Sequence, residues 1–254
     1  MPAFKTWFRA TRPFSFTASL TPVIVGTGLA ASQGHFHFLY FIAALFGGLF
    51  MHAGSNLFND VFDYKIGADT QSTDGSGLLP LKTLTPKQVY RAGQLMFLLA
   101  FLIGVYLVAV RGWLIVALGI TGLIGGYFYT AGPIHLKYRA LGELIIFLLF
   151  GVLMVWGGWY VQTGTLAWEP LIVSIPIALL VAAIVNVNNL RDVLTDKEVG
   201  FKTLAIKFNR RTSSVFYILL VVLAYVSFVM RKSRLYLQPR GLLLSVVRAF
   251  PLRS

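Results

Sequence analysis

Cysteine is absent from the 254-residue sequence, and Asp and Glu together number only nine. The lack of cysteine excludes disulfides, zinc-thiolate sites and a thiol nucleophile. Charged residues make up 12% of the chain, about half of the share that a soluble domain carries. Because 57% of the residues are hydrophobic, the composition places the chain among membrane proteins.

The apolar residues are gathered in seven stretches, and a helix needs about 20 mostly apolar residues to cross a bilayer. The stretches lie at roughly 14–31, 37–58, 93–110, 113–131, 141–162, 169–188 and 213–230. They lack the alternation of barrel strands. The sequence therefore predicts an all-α fold, a polytopic transmembrane helical bundle of about seven spans over residues 1–230, followed by an atypical basic tail over 231–254.

The basic residues predict the orientation of the bundle. With the N-terminus inside, fifteen Lys and Arg residues lie in inside segments, and only Arg111 lies in an outside loop. By the positive-inside rule we expect a multi-pass plasma-membrane protein whose N-terminus and acidic loops are cytoplasmic. The net charge of +13 does not indicate nucleic acid, because the cations sit in short loops that border anionic lipid. No obligate protein partner is predicted.

The two ends of the chain carry separate expectations. The basic N-terminal segment leads into the first span without a cleavage site, so we expect no cleaved signal peptide. The tail after residue 230 carries six basic residues that the predicted orientation would place outside. Either this tail folds back onto the membrane surface, or the natural chain is longer and this end is altered. We favour the second interpretation.

Seven of the nine acids form two clusters on the predicted inside face. They are Asp60, Asp63, Asp69 and Asp74 after the second span, and Asp192, Asp196 and Glu198 after the sixth. Each cluster follows an asparagine, with Asn56 four residues before Asp60 and Asn188 four residues before Asp192. If the helices continue past the membrane edge, each set lies on one helix face.

Close carboxylates repel each other unless a cation lies between them. Mg²⁺ is held in proteins by one or two carboxylates plus substrate phosphates. The spacing therefore predicts that Asp60, Asp63, Asp192 and Asp196 hold Mg²⁺ and a diphosphate between the clusters. The alternative is that these acids only pair with the many loop cations.

Basic and aromatic residues near the clusters are further candidates. A diphosphate leaving group needs cations that neutralise it, and four flank the clusters: Lys65, Lys137, Arg191 and Lys202. Each of them could instead be a membrane anchor. Tyr129 could present its ring face to a passing carbocation, although tyrosines also gather at membrane interfaces.

Two motifs resemble the signatures of the UbiA superfamily of intramembrane aromatic prenyltransferases. The pattern N-D-x-x-D is matched by Asn59, Asp60 and Asp63, and D-x-x-x-D-x-x-x-G-x-x-T by the segment 192–203. The segment R-P-F-S-F at 12–16 also fits. Within the family, residues 129–143 and N-N-L-R-D at 188–192 are most similar to the 1,4-dihydroxy-2-naphthoate polyprenyltransferases of menaquinone synthesis.

The resemblance implies Mg²⁺-dependent transfer of a polyprenyl group from its diphosphate to an aromatic acid. It implies that the four motif aspartates hold the metal. The candidate residues for substrate binding are Asn56, Asn59, Lys65, Tyr129, Lys137, Asn188, Arg191 and Lys202, and among the cations the motif context favours Lys137 and Arg191.

Two departures from the family pattern lead to expectations of their own. The family usually has about nine spans, so two are missing here. Gly77 stands where similar enzymes often carry an arginine, which predicts weaker diphosphate binding. The alternatives are a cation-coupled transporter, since intramembrane acids mark ion paths, and an inactive truncated prenyltransferase.

Overall fold

The computed structural model of the chain describes residues 3–69, 75–129 and 135–237. Asp74, the 130–134 part of the 129–143 motif and the tail beyond residue 237 lie outside them. The α-helices in chain order are α1 (Phe4–Ala10), α2 (Thr17–Ser32), α3 (Phe38–Lys65), α4 (Pro86–Arg111), α5 (Leu114–Phe128), α6 (Gly142–Ile146), α7 (Met154–Thr163), α8 (Glu169–Arg191), α9 (Val193–Glu198) and α10 (Leu204–Leu237). Short 3₁₀ turns cover Pro13–Ser15 and Leu136–Arg139, and a π-helical segment, Phe147–Leu153, joins α6 to α7. All regular structure in the described residues is helical, as the sequence predicts.

Six helices of the described residues are long and apolar enough to cross a membrane. They are Pro13–Ser32, Phe38–Lys65, Pro86–Arg111, Gly142–Thr163, Glu169–Arg191 and Leu204–Met230. The predicted span 113–131 is the exception, because α5 has 15 residues and measures only about 22 Å at 1.5 Å per residue. Its start is fixed by α4, which runs to Arg111 and ends at Gly112 with a φ of 86°. The chain is a multi-pass helical membrane protein.

Glycines allow the spanning helices to approach closely, as is common in membrane bundles. A Cβ at Gly26 of α2 would overlap the backbone oxygen of Val155. A Cβ at Gly151, in the π-helical segment, would overlap Ala178 of α8. These contacts hold α2 against α7 and α8 against the π-helical segment. Large apolar side chains instead face outward, where lipid replaces water as the solvent.

The two acid-bearing helices both run toward the same end of the bundle. Helix α3 has 28 residues, about 42 Å of helix, which is longer than the roughly 30 Å hydrocarbon core. Part of α3 must therefore extend beyond the apolar layer, and Asp60 and Asp63 lie on its last two turns. At the opposite end, the backbone N–H of His37 donates to Gln162 Oε1 at 2.7 Å, and Arg111 Nε donates to Val161 O at 2.6 Å.

Candidate active site

The first acidic motif lies on one continuous helix, as predicted. Asn56 donates from Nδ2 to the backbone oxygen of Thr11 and to Ser15 Oγ, both at 3.0 Å. Asp60 is fully buried and forms an ion pair with Arg12. It also accepts a hydrogen bond from the backbone N–H of Ser76 at 3.2 Å. Asn56 and Asp60 therefore fasten the N-terminal segment to α3.

Asp63, one turn further along α3, faces a different set of partners. Its Oδ2 accepts from Lys137 Nζ at 3.0 Å, and its Oδ1 accepts from the hydroxyl of Tyr138. Burial and the neighbouring Asp63 carboxylate raise the pKa of Tyr138 well above its usual value, so this hydroxyl stays a donor. Lys137 and Tyr138 thus orient the Asp63 carboxylate from two sides.

The 3₁₀ turn Leu136–Arg139 presents these two side chains to the acids. Both flanking residues, His135 (φ 46°) and Ala140 (φ 56°), have left-handed backbones, a conformation that costs non-glycine residues energy. The Tyr138 ring stacks on Phe201 with centroids 3.4 Å apart. The backbone N–H of Lys202 donates to Tyr138 O at 3.2 Å. The turn is therefore held between α3 and the segment that follows the second acidic motif.

The second acidic motif is bent rather than continuous. Helix α8 ends at Arg191, Asp192 caps it, and α9 begins at Val193. The backbone still links the motif, since the N–H of Asp196 donates to Asp192 O at 2.9 Å. The condition that the helix continues past the membrane edge is therefore met by α3, whereas the second helix is interrupted at one residue, Asp192.

Asp196 brings the second motif to the same space as the first. The side chain is buried, and this burial raises the pKa of Asp196 to about 6. Lys137 lowers that pKa, while the like charges of Asp192 and Asp63 raise it further. Asp63 and Asp196 therefore share Lys137 as a counter-charge, although 133 residues separate them in the sequence.

The remaining predicted residues lie around this centre. Arg191 pairs with the adjacent Asp192, with two N–O distances of 2.9 Å, and is 46% exposed. Lys65 is exposed at the end of α3, with its Nζ 5.7 Å from the Phe62 ring centroid. The side chain of Lys202 is exposed, whereas those of Asn188 and Tyr129 are half-buried. Among the predicted residues, Asp63 and Lys137 are thus in direct contact, and Asp196 is near enough to interact electrostatically with both.

The donor groups at the centre fit a divalent cation that a substrate helps to hold. Among the described residues, no three acidic or histidine side chains are arranged to hold an ion by themselves. Mg²⁺ ordinarily needs only one or two carboxylates when phosphates complete its shell. Asp63 and Asp196 repel each other, and the buried Oδ1 of Asn59 has no hydrogen-bond partner in the described part of the chain. A hard cation would reduce the repulsion between the two carboxylates and give Asn59 Oδ1 a partner.

Buried polar groups behind the centre were not identified from the sequence as site residues. Glu143 is 3% exposed and accepts from Asn189 Nδ2 at 3.0 Å, which links α6 to α8. A Cβ at Gly142 would lie 3.5 Å from Tyr129 Oη and 3.6 Å from Lys137 O. The one available signal was a glutamate inside a predicted span, where an acid needs a polar partner.

An apolar cavity of about 470 Å³ extends through the bundle below the acids. Its wall includes Ala44, Gly48, Met51 and Ser55 on α3, with Gly119 of α5 and Phe150 opposite. From Ser55 to Ala44 the helix covers about 16 Å. The cavity therefore offers a long apolar volume next to the helix that carries Asp60 and Asp63.

Comparisons with known proteins identify relatives of this chain. The profile described as the UbiA prenyltransferase family matches residues 19–252. A 1,4-dihydroxy-2-naphthoate octaprenyltransferase from Bacillus subtilis (strain 168) is 38% identical over 200 residues, which cover 78% of this chain and 64% of that protein. The UbiA prenyltransferase domain-containing protein 1 from Homo sapiens is 37% identical over 223 residues, covering 86% and 65%. The chain therefore spans slightly less than two thirds of the length of these relatives.

Solved structures share the fold. A UbiA homolog from Archaeoglobus fulgidus, bound to GPP and Mg²⁺, superposes with a TM-score of 0.70 at 18% sequence identity. The match covers 95% of this chain and 81% of that protein.

Proposed function

Since the chain belongs to the UbiA prenyltransferase family, we propose that it transfers a polyprenyl group from polyprenyl diphosphate to an aromatic acceptor. The acceptor that we propose is 1,4-dihydroxy-2-naphthoate, and the cofactor is Mg²⁺. The observation that carries this proposal is the meeting of Asp63 and Asp196 at Lys137, beside an apolar cavity. A diphosphate with a long apolar tail needs this combination of a charged site and an apolar channel.

Asp63 and Asp196 are the pair that the geometry favours as metal ligands. Asp60 and Asp192, which face Arg12 and Arg191, complete the proposed ligand set. When bound, Mg²⁺ supplies positive charge that stabilises the departing diphosphate. Support comes from the Archaeoglobus fulgidus homolog, whose structure contains Mg²⁺ with GPP.

The chain's own residues bind the diphosphate and keep water out. Lys137 is held on the Leu136–Arg139 turn, where its ammonium group can neutralise a diphosphate oxygen. Arg191, Lys202 and Lys65 add positive charge around the same entrance, Asn59 and Asn188 present amides, and Asn56 supports the site by holding the N-terminal segment. Tyr138 keeps the Asp63 carboxylate oriented during binding. The apolar cavity holds the prenyl tail and excludes water that would otherwise hydrolyse the diphosphate.

The proposed reaction balances as an electrophilic aromatic substitution. The allylic C–O bond breaks, and the electron pair leaves with the diphosphate. A ring carbon of the acceptor then forms the new C–C bond to the allylic carbon. Rearomatisation releases carbon dioxide when the attacked ring carbon carries a carboxylate, as in dihydroxynaphthoate, and a proton when that carbon carries hydrogen. Tyr129 beside the turn is the proposed aromatic neighbour of the cationic carbon.

The acceptor assignment rests on relatives. The Bacillus subtilis protein carries dihydroxynaphthoate in its name, and 78% of this chain aligns with it. We propose that the chain works in the plasma membrane, with the N-terminus and both acidic motifs on the cytoplasmic side, because fifteen of sixteen basic residues before residue 231 lie on that predicted face.

The test uses the full chain in liposomes with a polyprenyl diphosphate, Mg²⁺ and one acceptor at a time. The acceptors are dihydroxynaphthoate, 4-hydroxybenzoate and homogentisate, and the product is identified by mass spectrometry. We expect prenylated, decarboxylated naphthoquinol that disappears with EDTA. Asp63→Asn should abolish it, while Glu198→Gln, an exposed acid nearby, should retain it. Metal-gradient uptake without any prenylated product would instead identify a transporter.

A further inference from the structure

A second cavity, separate from the first, opens on the lateral surface of the bundle. It has a volume of about 450 Å³ and lies between helix α1 and the start of α4. Trp7 and Thr11 contribute one wall, Leu57 lies at its base, and Leu95 and Met96 line the other wall with Arg91. We call this the α1–α4 groove.

The groove combines an apolar wall with a cationic edge. Of the described residues that line it, Arg91 is the only charged one. Arg91 is exposed and forms no ion pair within the described part of the chain. Lys87, one turn earlier on the same face of α4, is also exposed. The edge is thus basic, while the interior below it is apolar.

The groove lies where the lipid head groups begin. Helix α1 precedes the first span and exposes Phe4 (84%) and Phe8 (51%), as interfacial helices do. Helix α4 starts at Pro86 and becomes apolar after Arg91, so Arg91 stands at the boundary between water and hydrocarbon. A molecule that fills this groove needs an anionic head beside Arg91 and an apolar body along Leu95 and Met96.

We propose that the α1–α4 groove binds an anionic phospholipid of the surrounding bilayer. The charge of the head group matches the basic edge, and a basic residue at a membrane surface attracts anionic lipid by about 1 kcal/mol. The acyl chains continue from the groove into the hydrocarbon without leaving the membrane. This site is separate from the proposed diphosphate site.

The bound lipid braces the segment that supports the first acidic motif. Thr11 lines the groove, and its backbone oxygen accepts a hydrogen bond from Asn56 Nδ2. The next residue, Arg12, forms the buried ion pair with Asp60. Leu57, at the base of the groove, lies on α3 between Asn56 and Asp60. Lipid in the groove therefore contacts both the N-terminal segment and α3, and it stabilises the packing of the one against the other.

The experiment measures lipid binding without relying on catalysis. The full chain is purified in detergent and titrated with short-chain phosphatidylglycerol or phosphatidylcholine. Bound lipid is counted by native mass spectrometry, and Tm is followed in parallel. We expect phosphatidylglycerol to bind and raise Tm. Arg91→Gln should weaken that binding about fivefold, while Arg210→Gln, another exposed arginine, should not.

A second pair of variants tests the apolar wall. Leu95 and Leu98 lie on the same helix with exposures of 50% and 51%, but only Leu95 lines the groove. Leu95→Gln should reduce phosphatidylglycerol binding, and Leu98→Gln should leave it unchanged. Equal losses for Arg91→Gln and Arg210→Gln would overturn the site, since a diffuse basic surface explains them. An equal rise in Tm with inorganic phosphate alone would also overturn it.

Discussion

Replacing Lys137 by methionine tests the centre of the proposed site. The Lys137 ammonium lies 3.0 Å from Asp63, and the two side chains are only 18% and 9% exposed. A hydrogen bond between charged groups contributes about 1.5–3 kcal/mol net, and about 1.4 kcal/mol corresponds to a tenfold change. If Lys137 transfers such a bond to the diphosphate, kcat/KM for prenyl diphosphate should fall about 10- to 100-fold in Lys137→Met.

The assay is prenyl transfer in liposomes at saturating Mg²⁺ and acceptor, with the diphosphate varied. Arg139→Met is the matched control, because Arg139 lies on the same turn and is exposed. We expect this control to stay within about twofold of the wild type, since surface charges contribute little.

The same substitution should strengthen metal binding, whereas it weakens diphosphate binding. Lys137 is the counter-charge that Asp63 and Asp196 share, so its removal should tighten Mn²⁺ binding in the absence of diphosphate. Electron paramagnetic resonance of free Mn²⁺ measures this directly. If Lys137→Met keeps the wild-type kcat/KM while Arg139→Met loses it, the diphosphate does not bind at Lys137 and our reasoning is refuted.

Four further predictions follow from the same contacts. Asp60→Asn should lower Tm, because it removes the buried ion pair between Asp60 and Arg12; the same Tm as wild type would show that the ion pair is not structural. Asp63→Asn should lose transfer by more than about 100-fold, with a smaller loss of Tm than Asp60→Asn, because Lys137 keeps Asp196 as a counter-charge. The pKa of Asp196 is raised to about 6, so the metal-free fold binds this proton more tightly than the unfolded chain. Its Tm in detergent should therefore fall as the pH rises from about 4 to about 6, and Asp196→Asn should remove that dependence. Gly151→Ala should destabilise the fold by about 1–3 kcal/mol through overpacking against Ala178, whereas Gly119→Ala, with open space at its Cβ, should keep the wild-type Tm in thermal scans.

The helical bundle could be predicted because apolar runs and loop charges are local signals. The first motif could also be placed, since a period of 3.6 residues puts Asn56, Asp60 and Asp63 along one continuous helix. The 15-residue length of α5 was harder to predict, because apolar residues continue past both of its ends and hide its boundaries.

Two partners of the first motif, Arg12 and Tyr138, could not be predicted, because they come from distant segments. Arg12 reaches Asp60 across 48 residues from a left-handed backbone with a φ of 55°. Tyr138 meets Asp63 only because two strained residues bracket its turn. The spacing in the sequence gives no reason to distinguish Asp60 from Asp63. In the fold, Asp60 contacts the N-terminal segment and Asp63 contacts Lys137.

Helix α3 carries the cavity wall and the acidic motif on one continuous rod. Ser55, at the upper end of the cavity wall, and Asp63 are eight residues apart, which fixes about 12 Å between them. A continuous helix keeps this distance constant, because its two ends cannot shift relative to each other. If the cavity holds the prenyl tail as proposed, exchanging side chains along the lower part of α3, such as Gly48 or Met51, would change the accepted prenyl chain length without moving the charged end.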